Sequence, residues 1–332
     1  MATTVFHIEG GIGKNIAATA VIAAYKKAKP ERKIIVVSAW AEVWMNNPNV
    51  ARFYVIGNTP YFYKDIIQGK DVEIYSGDPY RTTDHITKKT HLIKTWCKMA
   101  GVEHNHEGPN LHFNFRELEE GAAYVNQFRR DGRPVLLFQP FGGPGKEHQQ
   151  HPYSWTRDMH PSQAQAVVNK LAQKYNIVHV CYEFHPKLQN CHRFDKIIGK
   201  KALFAMTGNA NKRLFVDSSL QHAAAALGQK SVVLWVATQP KIFGYGIHNN
   251  IGPKKEYLEG HIDSYLFDYN FTGTIYECPY KDPADIHDVD EIVAAVEQED
   301  KPKEEPKQEP KVKPKEEPKE EPKEEPKKDK KS

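Results

Sequence analysis

The chain has 332 residues, 46 Lys and Arg against 42 Asp and Glu, and a formal net charge of +4 at pH 7. This small excess argues against nucleic acid as the main partner, and no apolar stretch approaches the roughly 18 residues of a membrane-spanning helix. Residues 1–14 lack a cationic start followed by an apolar run, so no signal peptide is predicted. We expect a soluble cytoplasmic protein, and about 150 residues per domain predicts two domains.

The first 100 residues alternate between strand and helix patterns. Continuous apolar runs such as KIIVVS at 33–38 are typical of strands buried on both faces, and the Ala-rich segment 15–27 has helical spacing until Pro30. The predicted strands are 4–8, 33–38, 50–56 and 71–75, and the predicted helices are 15–27 and 85–99. Alternation of this kind predicts an α/β fold with a parallel sheet.

The same pattern restarts after a turn-rich break at 128–134. The predicted strands here are 135–139, 176–181, 212–216 and 231–236, and the predicted helices are 162–175, 219–227 and 286–298. The sequence therefore predicts two Rossmann-like domains that face a cleft, at 1–132 and 133–284, followed by a C-terminal helix at 285–300. Open α/β sheets bind ligands at the carboxyl ends of their strands.

Residues 301–332 form a separate segment of 12 Lys, 9 Glu, 1 Asp and 7 Pro, with prolines at every fourth position from 302 to 326. Proline at this spacing removes helix donors. With Val312 as its one hydrophobic residue, the segment has little apolar area to offset its ordering entropy. We predict a disordered tail that solubilises the chain, with docking of an unknown partner as the alternative.

The cysteines and histidines do not predict a metal site. The four cysteines are far apart in sequence, without a CxxC pair, so we expect reduced thiols: Cys97, Cys181, Cys191 and Cys278. The histidine pairs at 104/106 and 148/151 have no repeated acidic or cysteine partner nearby. We expect no bound metal and no other cofactor.

A glycine loop, Glu9–Asn15, follows the first predicted strand. It does not fit a P-loop, because Ile8 stands at the first glycine and Asn15 at the hydroxyl position, and Ile16 replaces the third glycine of a dinucleotide fingerprint. Glycines still let a ligand approach the backbone, and the following helix offers N–H groups to an anion. The candidate contacts are Gly10, Gly11, Gly13 and Asn15, and a plain strand-to-helix turn is the alternative.

A second polar turn, Asp217–His222, follows the predicted strand 212–216. Asp217 or Ser218 would cap the next helix, but capping does not explain the small-residue face AAAA at 223–226. The next strand also runs into a polar loop that contains Thr238 and Pro240. Two polar loops at neighbouring strand ends converge on one site, as a diphosphate and a ribose would require.

These residues resemble the donor motif of glycosyltransferase family 9, the heptosyltransferase family, in which D-[ST]-G-x-x-H-x-A-A-A-L-G is followed by a strand and a polar loop. The chain has Asp217-Ser218-Ser219-x-x-His222 and then AAAALG, VVLW and Thr238-x-Pro240. Residues 154–156 are similar to the family's Lys-x-Trp-Pro segment. The similarity spans roughly residues 4–245 and is stronger in the second domain.

The resemblance implies the two-Rossmann GT-B fold, with a nucleotide sugar such as ADP-heptose in the second domain and a glycan or other hydroxyl acceptor in the first. It implies that Ser218, Ser219 and His222 approach the donor's diphosphate and that Glu183 contacts the nucleoside. Because Tyr153 replaces the lysine of the Lys-x-Trp-Pro segment, phosphate charge must be met by Lys146 or Arg157. Transfer is expected to invert the anomeric carbon without a metal.

One departure from the family concerns the catalytic base. The family usually has an aspartate directly after the loop glycine, where this chain has Lys14. An ammonium is no base unless its pKa falls by several units, although it could neutralise phosphate. Glu9 is the substitute candidate for the base. The main hypothesis is a glycosyltransferase, and the alternative is a catalytically degenerate protein that still binds nucleotide sugars.

Overall fold

The computed structural model of the chain describes residues 2–129, 131–143, 153–196, 198–254, 278 and 280–298. The chain divides into two compact units, Met1–Glu297 and Gln298–Ser332. The predicted tail lies outside the described residues. The predicted domain boundary at 132/133 stays a prediction; below, "first half" denotes residues 2–129 and "second half" denotes residues 131–297.

The first half contains a four-stranded parallel sheet in the order β3-β2-β1-β4. Its strands are β1 (Thr3–Ile8), β2 (Lys33–Ser38), β3 (Arg52–Val55) and β4 (Val72–Tyr75). Its helices are α1 (Ile12–Ala28), α2 (Ala41–Trp44), α3 (Thr83–Ile86), α4 (Leu92–Met99) and α5 (Phe115–Asn126), with a π-helix at Tyr63–Ile67 and a 3₁₀-helix at Pro79–Arg81. The Ala-rich α1 ends with Lys26 and Lys27, which suit its negative dipole end.

The second half contains a six-stranded parallel sheet in the order β10-β9-β8-β5-β6-β7. Its strands are β5 (Val135–Gln139), β6 (Asn176–Val180), β7 (His192–Phe194), β8 (Lys212–Val216), β9 (Val232–Leu234) and β10 (Asn249–Ile251). Its helices are α6 (Pro161–Leu171), α7 (Lys200–Asn209), α8 (Ser219–Ala226), α9 (Pro240–Phe243) and α10 (Val289–Glu297), with a 3₁₀-helix at Pro283–Asp285. This strand order is that of a doubly wound Rossmann sheet.

The predicted helix at 85–99 is wrong as a single element. The structure has two short helices there, α3 and α4, separated by residues 87–91. Lys88 adopts a left-handed φ of 51°, which a right-handed helix cannot contain. The interruption lets His91 cap α4 by accepting from the Ile93 N–H, while its Nε2 lies 2.9 Å from the Gly244 carbonyl oxygen of the second half.

The two halves share one apolar cluster. It includes buried residues of the first sheet and its helices, such as Phe6, Ile16 and Trp96, together with Phe204 and Leu220 of the second half. The buried Lys201 ammonium of α7 also donates to the His112 carbonyl oxygen of the first half. Both sheets therefore pack on one continuous apolar core.

Gly121 of α5 allows the closest of these helix contacts. A Cβ at this position would contact the Ala205 Cβ of α7 and lie 2.7 Å from the Ala205 carbonyl carbon. Alanine normally stabilises a helix interior relative to glycine. Because overpacking outweighs that gain here, we expect Gly121→Ala to lower the free energy of unfolding by about 1–3 kcal/mol.

Urea denaturation measures this change. The matched control is Gly108→Ala, because a Cβ at the exposed Gly108 meets no heavy atom within 4 Å. A Gly121→Ala variant as stable as the Gly108→Ala variant would contradict the close approach of α5 and α7.

Candidate functional site

The candidate site lies where the carboxyl ends of the two sheets meet. In the first sheet the strand order reverses between β1 and β4, and in the second sheet it reverses between β5 and β8. Such switch points open a crevice for ligands. The glycine loop follows β1, and the Asp217–His222 segment, named here the serine turn, follows β8. Both predicted loops are therefore at switch points.

A side-chain hydrogen bond joins the serine turn to the end of β5, across the second switch point. Ser218 caps α8, with its Oγ accepting from the Leu220 N–H at 3.3 Å. The same hydroxyl donates to Gln139 Oε1 at 2.5 Å, at the end of β5. The start of α8 is thus aligned with the crevice, and its N-terminal N–H groups form a favourable environment for an anion.

Arg157 and the loop after β9 are brought to the same turn. The Arg157 Nε lies 3.9 Å from the carboxylate Oδ2 of the buried Asp217. The adjacent Thr156 carbonyl accepts from the Ala237 N–H at 3.0 Å, which places the Arg157 segment beside Thr238. The buried Thr238 hydroxyl has no hydrogen-bond partner within the described residues. Pro240 begins α9 next to this loop.

His222 is held by protein groups on both ring nitrogens. Its Nδ1 lies 2.8 Å from the Tyr245 hydroxyl and its Nε2 lies 3.1 Å from the Gln221 side-chain nitrogen. That nitrogen also donates to the Phe243 carbonyl, so it is an amide N–H₂ and Nε2 accepts. Burial lowers the His222 pKa to about 4. The ring is therefore neutral at pH 7, with its proton assigned to Nδ1, and a contact of His222 with a diphosphate stays a prediction.

The glycine loop contacts the serine turn directly. A Cβ on Gly13 would lie 2.8 Å from the His222 Cδ2 and 3.5 Å from the Ser219 Cα. Gly10 has a left-handed φ of 96°, and its carbonyl accepts from the Trp40 indole N–H at 2.9 Å. Glycine is thus required at Gly10 for conformation and at Gly13 for space. The starts of α1 and α8 are therefore packed against one another.

Asn15 and Glu9 differ in how the protein uses their side chains. The buried Asn15 donates to the Gly11 carbonyl at 3.1 Å and accepts from the Ser38 hydroxyl at 2.6 Å, so it fixes the loop to β2. Glu9 is exposed, and its carboxylate lies 3.8 Å from His7 Nε2. A ligand contact by Asn15 and a base role for Glu9 stay predictions.

Lys14 is buried in the first half rather than extended into solvent. Its ammonium is 2.8 Å from Asp78 Oδ1 and lies over the rings of Tyr80, at 4.6 Å, and Trp96, at 5.6 Å. Sequence reasoning missed Asp78 and Tyr80. The available signal was their position directly after a strand end, at β4, which is the strand beside β1 across the switch point.

The remaining predicted residues lie at the edge of the site or outside the description. Glu183 is exposed after the carboxyl end of β6, two strands away from β8, and its carbonyl accepts from Arg193 at 2.8 Å. Lys146 lies outside the described residues. In the part of the chain that the structure describes, no group of three His, Cys, Asp or Glu is arranged to hold a metal ion.

Solved structures resemble this chain over most of its length. A family 9 glycosyltransferase from Veillonella parvula has a TM-score of 0.63 at 16% identity, over 89% of this chain and 96% of its own. The Escherichia coli ADP-heptose LPS heptosyltransferase II has a TM-score of 0.56 at 14% identity, over 89% and 98%. The chain has the fold of glycosyltransferase family 9. The two-Rossmann GT-B architecture predicted from the sequence is confirmed.

A third neighbour, the iron-containing dodecameric glycosyltransferase TibC of enterotoxigenic E. coli, has a TM-score of 0.61 at 10% identity, over 89% of this chain and 75% of its own. No protein-family model matches the sequence, and no curated protein matches it. The likeness is one of fold. Among the described residues, no helix has the length and apolar character needed to cross a membrane.

Proposed function

We propose that the chain is a glycosyltransferase that moves a sugar from a nucleotide-sugar donor to a hydroxyl acceptor. The observation that carries the proposal is the contact between the glycine loop and the serine turn, at the switch points of two sheets in a family 9 fold. A donor held at one turn would have its sugar facing the other loop. This is the geometry that a transfer between two bound substrates requires.

The serine turn suits the donor's diphosphate. The start of α8 offers N–H groups and a positive dipole end, and the guanidinium of Arg157 lies beside it at Asp217. The Thr238 hydroxyl, which has no hydrogen-bond partner in the part of the chain that the structure describes, is a candidate for a further hydrogen-bond donor. Two of the solved neighbours are heptosyltransferases whose donor is ADP-heptose, and we propose a donor of that class for this chain.

The first half would hold the acceptor, a glycan or another hydroxyl compound. An acceptor oxygen at the glycine loop would attack the anomeric carbon from the side opposite the diphosphate, which inverts that carbon. Helix N-termini and cations stabilise the charge on the leaving diphosphate, so the proposed transfer requires no metal. The alternative, a protein that binds nucleotide sugars without catalysis, is favoured by Lys14 at the position where the family usually has its base.

A thermal-shift screen against ADP-, GDP-, UDP- and CMP-sugars tests the proposal. A ligand at a hundred times its dissociation constant adds about 2.7 kcal/mol of stability. We expect Arg157→Gln to weaken this response to the donor that binds. Arg52→Gln, in which the arginine contacts the Tyr54 ring on the edge strand β3, is the matched control.

Release of nucleotide from the stabilising donor then separates the two hypotheses. Turnover supports a transferase, whereas a donor that binds without turnover supports the degenerate binding protein. Absence of any response to all four classes of nucleotide sugar would contradict both.

A further inference from the structure

An ion pair is built into the acceptor side of the site. Asp78 follows β4, Lys14 lies in the glycine loop, and the Lys14 ammonium lies 2.8 Å from Asp78 Oδ1. The same Oδ1 accepts from the Tyr80 N–H at 3.0 Å. The ion pair and the hydrogen bond on one oxygen fix the orientation of the carboxylate, because rotation about its side-chain bonds would break both contacts.

The second oxygen of this carboxylate is not used in the same way. Within the described residues, Asp78 Oδ2 has no hydrogen-bond or ion-pair partner, and the side chain is 30% exposed, whereas the Lys14 side chain is 6% exposed. The arrangement presents one oriented, solvent-accessible oxygen at the switch point of the first sheet. An acceptor hydroxyl could donate to it without displacing a protein contact.

The segment that carries Asp78 also contacts the second half. The ring of Tyr80, two residues further on, lies 6.0 Å from Phe243 of the second half. Burial raises the pKa of Tyr80, and Asp217 and Asp78 both act on its hydroxyl electrostatically, as does Arg157 with the opposite sign. Tyr80 packs against the second half, and Lys14, the ion-pair partner of Asp78, follows Gly13, which lies against Ser219 and His222 of the serine turn.

The other candidate carboxylate is positioned less well. The Glu9 side chain is 72% exposed, and among the described residues it has a single ion pair, with His7 at 3.8 Å. A general base must be held within hydrogen-bond reach of the proton that it takes. One ion pair and one hydrogen bond hold Asp78, while one long ion pair holds Glu9 among the described residues.

We propose that Asp78, rather than Glu9, is the general base of the transfer, with Lys14 as the positioning residue that orients it. The inference rests on the proposed function. As the acceptor oxygen forms its bond to the anomeric carbon, its proton passes to Asp78 Oδ2 and the bond between the anomeric carbon and the diphosphate oxygen breaks. The diphosphate leaves with the electron pair, and Asp78 then returns the proton to solvent.

The test measures nucleotide release from the donor selected by the thermal-shift screen, with water as the acceptor, in the full chain. We expect Asp78→Asn to lower kcat by about 10²- to 10⁴-fold while the thermal shift given by the donor is retained. The matched control is Asp84→Asn, which breaks another Asp–Lys pair, with Lys98 at 2.7 Å, on the 83–86 helix. This control should retain its kcat, and Asp78→Glu should recover part of the lost rate.

Asp78→Asn leaves the Lys14 ammonium buried without its carboxylate, which could unfold the chain. A second variant therefore separates loss of the base from loss of the fold. Lys14→Met combined with Asp78→Asn removes both charges, and we expect a folded, donor-binding and inactive protein. Lys14→Met alone keeps the carboxylate and should be at least tenfold more active than the double variant.

Two results would overturn the inference while leaving the proposed function intact. One is a wild-type chain with turnover and an Asp78→Asn variant of equal kcat. The other is loss of kcat in Glu9→Gln with retention in Asp78→Asn. A wild-type chain that turns over no nucleotide sugar would instead contradict the proposed function, and the role of Asp78 with it.

Discussion

Replacing Gly13 with alanine is expected to destabilise the chain by about 1–3 kcal/mol and to weaken its response to nucleotide sugars. The added Cβ would lie 2.8 Å from His222 Cδ2, and the Ser219 backbone lies 3.5 Å away on the other side. The His222 ring cannot rotate away without losing its contacts with Tyr245 and Gln221. The added Cβ is therefore expected to displace the serine turn itself.

Urea denaturation and the thermal shift given by the best donor measure the two effects. Gly11→Ala is the matched control for stability, since a Cβ at Gly11 meets no heavy atom within 4 Å and its φ of −69° suits any residue. We expect Gly11→Ala to cost less than about 1 kcal/mol as a change of helix cap. Equal stability of the two variants would show that the glycine loop and the serine turn are not in contact.

The free energy of unfolding is expected to fall by about 6 kcal/mol between pH 7 and pH 5.5. The cause is burial, which lowers the pKa of five histidines below their ordinary 6.5: His85, His222, His248 and His287 to about 4, and His179 to about 3. The unfolded chain takes up these protons near pH 6.5, and the folded chain does not. The stability that they contribute is present above pH 6.5 and is lost as the pH falls towards 4.

Urea denaturation at a series of pH values measures how the free energy of unfolding changes with pH, and the His179→Leu variant measures the contribution of one histidine. His179 is fully buried between the rings of Phe138 and Phe141, and its ring nitrogens have no hydrogen-bond partner among the described residues. The variant should keep its stability at pH 7 and lose about 1.2 kcal/mol less than the wild-type chain between pH 7 and pH 5.5. An unchanged loss in this variant would show that His179 is protonated in the folded state.

The strands were the part of the fold that the sequence predicted best. The predicted limits of β2, β5 and β8 agree with the structure, because each contains an uninterrupted apolar run flanked by polar or turn residues. The three-residue strands β7 and β10 were missed, since three residues carry no periodic pattern. The break between α3 and α4 was missed for a different reason: it depends on the contact of His91 with Gly244, which is distant in sequence.

The sequence pointed to the two turns of the candidate site but not to the residues that contact them. Residues such as Ser219 and Gly13 carry signals of their own type and spacing, and the structure brings them together. Asp78 and Tyr245 lie far from those turns in sequence, so their contacts with Lys14 and His222 follow from how the chain folds. The departure at Lys14 showed that a carboxylate was missing, and the candidate that we propose, Asp78, was found only from its contact with Lys14 in the fold.

The apolar cluster that joins the two halves limits how this scaffold can be recombined. Phe6 and Ile16 pack in the same cluster as Leu220 and Phe204. A chimaera that took one half from a relative would therefore have mismatched side chains where the two halves pack together. Changing the specificity of such a protein by exchanging whole halves would therefore require the facing surfaces of α1, α5, α7 and α8 to be exchanged as a set. Substitutions in the loops at the carboxyl ends of the strands leave this apolar cluster intact and are the easier route to a changed ligand.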